Sequence, residues 1–313
     1  MHHAVACHIH RVNLYHLRYD KANEADALIA LGKGYDLLGD VDEAIEVCER
    51  SLAIAREIGD RQIEGRAVIA LGTAYGHLGY AQRSLTYGEQ GLQIAWETGS
   101  QDIEQAALEC LANAHRWLGE IEPSIQFYWQ SLNHARELGH MYEVGILLEG
   151  LGLAYLALDD RVQAIDCYNQ GLAIFNDIGA LYSRARVLAH LGSAYTFAGQ
   201  LSEAEDTLTQ ARLVFDVMHM YRGYTLLAYY MANFYRQQGN FEAAQRCYKR
   251  AITLFDDVQD RYGQATCLME YAQLLREHKH QQEALKIARS AQTIYKERGT
   301  DKQVAKVQGW MEG

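Results

Sequence analysis

Leu31, Leu71, Leu111, Leu151 and Leu191, followed by Met231 and Tyr271, recur at an unbroken interval of 40 residues. A fixed internal period of this length constrains the fold more than any other feature, because it marks an array in which each unit packs on the next. The following position is always small: Gly32, Gly72, Ala112, Gly152, Gly192, Ala232 and Ala272. Tyr35, Tyr75, His115, Tyr155, Tyr195, Tyr235 and Leu275 come next in register, and Gly39, Gly79, Gly119, Asp159, Gly199 and Gly239 close the segment, with Lys279 the misfit. A second segment is marked by Ala44, Ser84, Ser124, Ala164, Ala204, Ala244 and Ala284, then by Ile54, Ile94, Ile174, Val214, Leu254 and Ile294 at helical spacing. It ends on glycine at Gly59, Gly99, Gly139, Gly179 and Gly299, as helices commonly do. Each unit therefore reads as helix A, turn, helix B, turn, with the tyrosine ladder assigned to core packing.

One such helix pair cannot bury its own apolar face, so successive pairs stack, and the small residues allow close approach. The period runs from Leu31 to Tyr271 without room for an inserted domain or long linker, which predicts one continuous array over residues 21–300. Residues 1–20 align with a helix B lacking its helix A, and residues 301–313 with the start of a further helix A. These half-repeats read either as capping helices or as the ends of a longer array.

The motif in "LGLAYLALDDRVQAIDCYNQGLAIF", with Leu151, Gly152, Tyr155, Ala164 and Tyr168, resembles the tetratricopeptide repeat family. Repeats 1, 2 and 4 to 6 carry the pattern best. The family's ordinary period is 34, and its proline near the end of helix B is missing here, where Pro123 is the single proline of the chain. The longer period is similar to the extended subgroup found in Leu-Gly-Asn-repeat adaptors, kinesin light chains and sensor arms of bacterial signalling ATPases. The resemblance implies an all-α, right-handed superhelical solenoid of antiparallel helix pairs.

Composition excludes several function classes. A formal charge of −11 argues against general nucleic-acid binding, which requires a dominant Lys/Arg surface. The longest apolar stretch, residues 144–158, contains Glu149 and is too short to span a bilayer, and the first twenty residues have no signal-peptide pattern. The six cysteines form no CxxC pair and read as reduced, which points to a cytoplasmic protein.

Tests for chemistry return nothing that holds. LGKGYDLLGD has the glycine spacing of a phosphate loop, but Asp40 and Val41 stand where Lys and Ser/Thr are needed. Gly34 is moreover replaced by Ala74, Ala114, Ala154 and Ala194 in the next repeats. His3, Cys7 and His10 share one helix face, yet no further Cys/His pair completes a zinc set. There is no nucleophile elbow and no HExxH. Glu109 and Glu149, one repeat apart, are expected to face solvent in the groove rather than to act as a catalytic pair. No catalytic residue, metal or cofactor is assigned, and the chain is not read as an enzyme.

In the resembled family helix A lines the concave surface, which assigns the partner-binding residues. They are Lys33, Arg66, Asn113, Arg116, Trp117, Ile146, Leu153, Leu156, Arg186, Phe197, Asn233 and Arg236. Asparagine can bind both N–H and C=O of an extended peptide, and arginine suits carboxylates through its planar fork. The arginines either capture a partner's carboxylates or pair with neighbouring acids. Helix A of the fourth repeat is apolar nearly all round, so it is covered by the solenoid itself or by a partner. The expected function is a scaffold holding a peptide or protein segment, acidic and leucine-rich in character, in the groove. The alternative is a ligand- or peptide-sensing arm of a bacterial signalling protein.

Overall fold

A computed structural model describes residues 2–218 and 221–312. Among them every element is helical: α1 (His2–Leu17), α2 (Lys21–Leu38), α3 (Val41–Ile58), α4 (Arg61–His77), α5 (Ala81–Thr98), α6 (Gln101–Leu118), α7 (Ile121–Leu138) and α8 (Met141–Ala157). They continue as α9 (Arg161–Asp177), α10 (Leu181–Phe197), α11 (Leu201–Met218), α12 (Tyr221–Gln237), α13 (Phe241–Asp257), α14 (Arg261–Glu277), α15 (Gln281–Glu297) and α16 (Asp301–Glu312). The even-numbered helices α2 to α14 are the A helices of the seven repeats and the odd-numbered α3 to α15 their B helices. Both terminal half-repeats, α1 and α16, are helical.

The short links follow from local chemistry. Gly39 and Gly59 take left-handed conformations at φ 100° and 70°, and their amides return to the last helical carbonyls. Asp159 and Lys279 hold the same place at φ 61° and 65°, so the geometry persists where glycine is absent. A side chain there costs roughly 1 kcal/mol, which the stacked helices on either side override. Asp20, Asp60, Asp160, Asn240 and Asp260 then cap the next helix by accepting from its first free amides.

The chain forms two compact units, residues 1–118 with α1 to α6 and residues 119–313 with α7 to α16. Within each, consecutive helices pack in turn. Successive A helices also pack on one another, α2 on α4 and α4 on α6 in the first unit, α10 on α8 and α12 in the second, with no comparable packing between successive B helices. The A helices therefore lie on the inner side of each stack.

The small residue of helix A is explained by its B partner. A Cβ at Gly152 would lie 2.4 Å from the Tyr168 ring, and at Gly192 2.7 Å from Leu208. Tyr128, Tyr168 and Tyr248, all on B helices, are fully buried, whereas Tyr35, Tyr75, Tyr155, Tyr195 and Tyr235 of the A-helix ladder are half-buried. The ladder packs at the margin of the core and the B-helix tyrosines fill its centre. In the first unit a Cβ at Gly76 would lie 1.9 Å from the Trp117 ring. Gly76→Ala is expected to destabilise the protein by about 1–3 kcal/mol in urea titration, since a large buried ring must shift. Gly34→Ala, whose Cβ would meet only Val5 at 3.0 Å, should leave stability within about 0.5 kcal/mol of the parent or raise it, by helix propensity.

Candidate functional site

The inner face of each unit is braced by polar contacts between A helices one repeat apart. In the first unit Asp26 of α2 pairs with Arg66 of α4 at 2.5 Å, and Asp36 of α2 lies 2.7 Å from His77 of α4. His77 in turn meets the Trp117 ring edge-on at 5.8 Å, and the Arg116 guanidinium lies 5.6 Å over the same ring. Trp117 is buried, so it forms the floor of this face rather than a wall. Asn113 is half-buried; its Nδ2 donates to the Glu109 carbonyl at 3.1 Å and its Oδ1 accepts from Arg116 at 3.4 Å. Lys33 is exposed on α2.

The second unit holds a denser arrangement. Glu149 of α8, expected at the sequence level to face solvent, is buried. Arg186 of α10 approaches it with both fork nitrogens, Nε to Oε1 and Nη2 to Oε2, each at 2.6 Å. His190 of α10 adds Nε2 at 3.0 Å from Oε1, while its Nδ1 lies 2.6 Å from the Tyr230 hydroxyl of α12. One tautomer satisfies both contacts: Nε2–H donates to Glu149 and the Tyr230 hydroxyl donates to Nδ1. The imidazole also stacks on Tyr168 of α9 at 5.7 Å. Three A helices are thus tied together across a buried carboxylate.

Asn233 of α12 is buried, with its Oδ1 accepting from the Tyr248 hydroxyl of α13. Arg236 of the same helix reaches Glu270 at 2.9 Å and engages Glu277 with two nitrogens, Nε at 3.0 Å, tying α12 to α14. Arg276 of α14 donates to the Trp310 carbonyl of α16 at 3.0 Å and lies 4.1 Å over its ring. Ile146 and Leu156 are half-buried against the core of Tyr168, Phe175, Val187 and Leu191, and Leu153 and Phe197 are half-buried too. The apolar fourth-repeat helix is therefore largely covered by its own stack.

Arginines 66, 186 and 236 all pair with acids of the neighbouring A helix. Their partners lie 34 to 41 residues away. That offset is the signal a search of the sequence could have used: an acid and a base near the same repeat position in consecutive units. His77, His190, Glu270 and Glu277 would have been found by it. Among the described residues no group of three or more His, Cys, Asp or Glu is placed to hold a metal ion, and no helix is long and apolar enough to cross a membrane. The side chain of His3 lies outside the described residues.

A family model for the tetratricopeptide repeat matches residues 18–95, 103–177 and 224–297, and the chain belongs to that family. No curated protein sequence matches it significantly. Among solved structures, a Rap protein complexed with Competence and Sporulation Factor superposes with a TM-score of 0.74 at 15% identity, over 89% of this chain and 76% of that one. NprR in complex with its cognate peptide NprX gives 0.67 at 15% identity, over 93% and 82%. A Signal Transduction ATPase with Numerous Domains with a tetratricopeptide repeat sensor, from Pyrococcus horikoshii, gives 0.55 at 16% identity, over 82% and 39%. At these identities the likeness is one of fold.

Burial raises the Glu149 carboxyl, but the charge of Arg186 and the hydrogen bonds from His190 and Arg186 outweigh it and hold the group down at about 2. The Arg186 guanidinium is opposed by burial and raised more strongly by Glu149. Because the carboxyl titrates lower in the folded chain than unfolded, its contribution is complete above pH ~5 and is lost as pH falls towards about 2. Glu149→Gln should cost about 2–3 kcal/mol at neutral pH, below the ~3–5 of a fully buried pair because Arg186 keeps contact with water. Thermal melts between pH 7 and pH 3 should show a shallower acid loss in this variant than in the parent.

Proposed function

We propose that this chain is a non-enzymatic scaffold that binds a peptide segment of a partner along its A helices. The observation that supports this most is the inner-face packing of the A helices. It presents exposed or half-buried Lys33, Arg66, Asn113 and Arg116 in the first unit, and Ile146, Leu153, Leu156 and Phe197 beside Arg186 in the second. Half-buried polar and apolar groups lying together suit a chain that needs backbone hydrogen bonds and side-chain anchors. Two of the proteins with a similar fold are solved with a peptide or signalling factor bound.

An acidic, leucine-rich ligand is the partner this reading favours, with one refinement. Since Arg66, Arg186 and Arg236 already hold acids, a ligand carboxylate at those positions has to displace a resident one. In the first unit exposed Lys33 is the cation best placed to act as an anchor, beside Arg116 stacked on Trp117; in the second, Leu156 and Ile146 meet apolar side chains. Trp117 and Asn233 support from beneath, Trp117 under Arg116 and Asn233 through Tyr248.

The sensing alternative is favoured by a specific feature, the ties that join α8, α10, α12, α14 and α16 through consecutive side chains. Ligand competition for any one of them would alter helix spacing in the second unit. The binding test is affinity purification, identification of the captured segment and titration of that segment as a synthetic peptide. Arg116→Glu should weaken it at least tenfold, about 1.4 kcal/mol, in protein that remains folded by circular dichroism. Equal affinity of the variant and the parent would remove the inner face of the first unit from consideration.

A further inference from the structure

At the edge where each B helix turns into the next A helix, the first unit repeats one ion pair. Lys21 of α2 pairs with Glu57 of α3, and Arg61 of α4 with Glu97 of α5, each pair separated by 36 residues. In the second unit the cation is lost at successive repeats and returns as Arg261. The residues equivalent to Lys21 and Arg61 are Met141 and Leu181, 48% and 52% exposed; the acid opposite Met141 persists as Asp177, and the one opposite Leu181 is replaced by Val217, 81% exposed. Glu137 and Asp177 are exposed and make no ion pair among the described residues.

The replaced positions form one surface. Tyr142, next to Met141, meets Phe175 of α9 edge-on at 5.8 Å, and its hydroxyl lies 3.1 Å from that of Ser183 on α10. Tyr182, next to Leu181, meets Phe215 of α11 at 6.2 Å, and Ile178 is exposed between the two helix starts. At the ends of the adjoining B helices the exposed acids Glu137, Asp177 and Asp216 outnumber exposed Arg136. An apolar ridge edged by the carboxylates of Glu137 and Asp177 stands where the first two repeats close their rim with Lys21 and Arg61.

We propose that this rim of the second unit, centred on Met141, Tyr142, Ile178 and Leu181, is a docking surface for a basic amphipathic helix of a partner protein. The partner supplies from outside the cations that the repeat has lost, while its apolar stripe covers the ridge. A second copy of this chain is disfavoured by the same charges: the chain carries −11, and two rims meeting face to face would oppose carboxylates. An anionic lipid surface is disfavoured for the same reason. This surface borders the inner face at Arg186, whose guanidinium lies 5.8 Å over the Tyr182 ring.

The test uses a labelled Leu/Lys amphipathic helix of about 18 residues and its Leu/Glu counterpart, titrated against the full chain by fluorescence anisotropy. The parent should bind the basic peptide at least about tenfold more tightly than the acidic one. Met141→Lys together with Leu181→Arg, which rebuilds the first unit's rim, should weaken the basic peptide about tenfold. Glu137→Lys with Asp177→Lys should reverse the preference, with circular dichroism unchanged in both. Arg116→Glu should leave the basic peptide unaffected, which separates failure here from failure of the inner-face reading. Equal binding of the two peptides, or no effect of the rim variants, overturns the proposal. So does rim-dependent dimerisation in sedimentation, or rim-dependent binding to vesicles of phosphatidylcholine and phosphatidylserine.

Discussion

Where Gly152 of α8 faces Tyr168 of α9, a methyl group would lie 2.4 Å from the ring, and the same exclusion recurs between Gly192 and Leu208 one repeat later. This contact between a bare stretch of helix A and a large side chain of helix B sets how near the two helices stand. The remaining features depend on it. With the pair drawn together, the apolar residues left over can be covered only by the next pair, so burial propagates along the stack. The A helices then come into contact with one another on the inner side, and side chains one repeat apart fall within hydrogen-bond reach.

That proximity has an electrostatic consequence. An inner face lined by arginines would repel itself if every repeat carried one, and an inner face lined by acids likewise. The chain alternates them between neighbours, Asp26 with Arg66, Glu149 with Arg186, Arg236 with Glu277. Each pair is nearly neutral from a distance and strongly directional at close range. Burying Glu149 is tolerable only because two nitrogens of Arg186 and one of His190 replace the water it loses. The ties are therefore both a stabilising feature and a constraint on the chemistry of any ligand laid over them.

The solenoid class, the helix boundaries and the left-handed links were legible in the sequence because each is fixed by local chemistry repeated seven times. Lys279 looked like a misfit by residue type, yet it adopts the backbone conformation of its glycine equivalents, since the flanking helices dictate it. Glu149 was misread for the opposite reason. In isolation a glutamate on helix A looks solvent-facing, and only its pairing with residues 37 and 41 positions away accounts for its burial. The tyrosines show the same limit: the conspicuous A-helix ladder is marginal, while Tyr128, Tyr168 and Tyr248, at a position filled elsewhere by Cys48, Gly88 and Leu208, fill the centre. Periodicity reveals which positions correspond, but which of them is deepest depends on packing between unlike residues.

The uniform backbone of the repeats suggests modules that could be shuffled, but the cross-repeat ties give the array a reading order. Excising residues 181–220 would keep the 40-residue register intact and bring Leu226 and Tyr230 to the places now held by Arg186 and His190. Glu149 would then remain interior without a counter-ion, beside a phenol and an isobutyl group. Gain or loss of a whole repeat, the easiest change for a duplicated gene segment, is thereby penalised at this point by charge and not by shape.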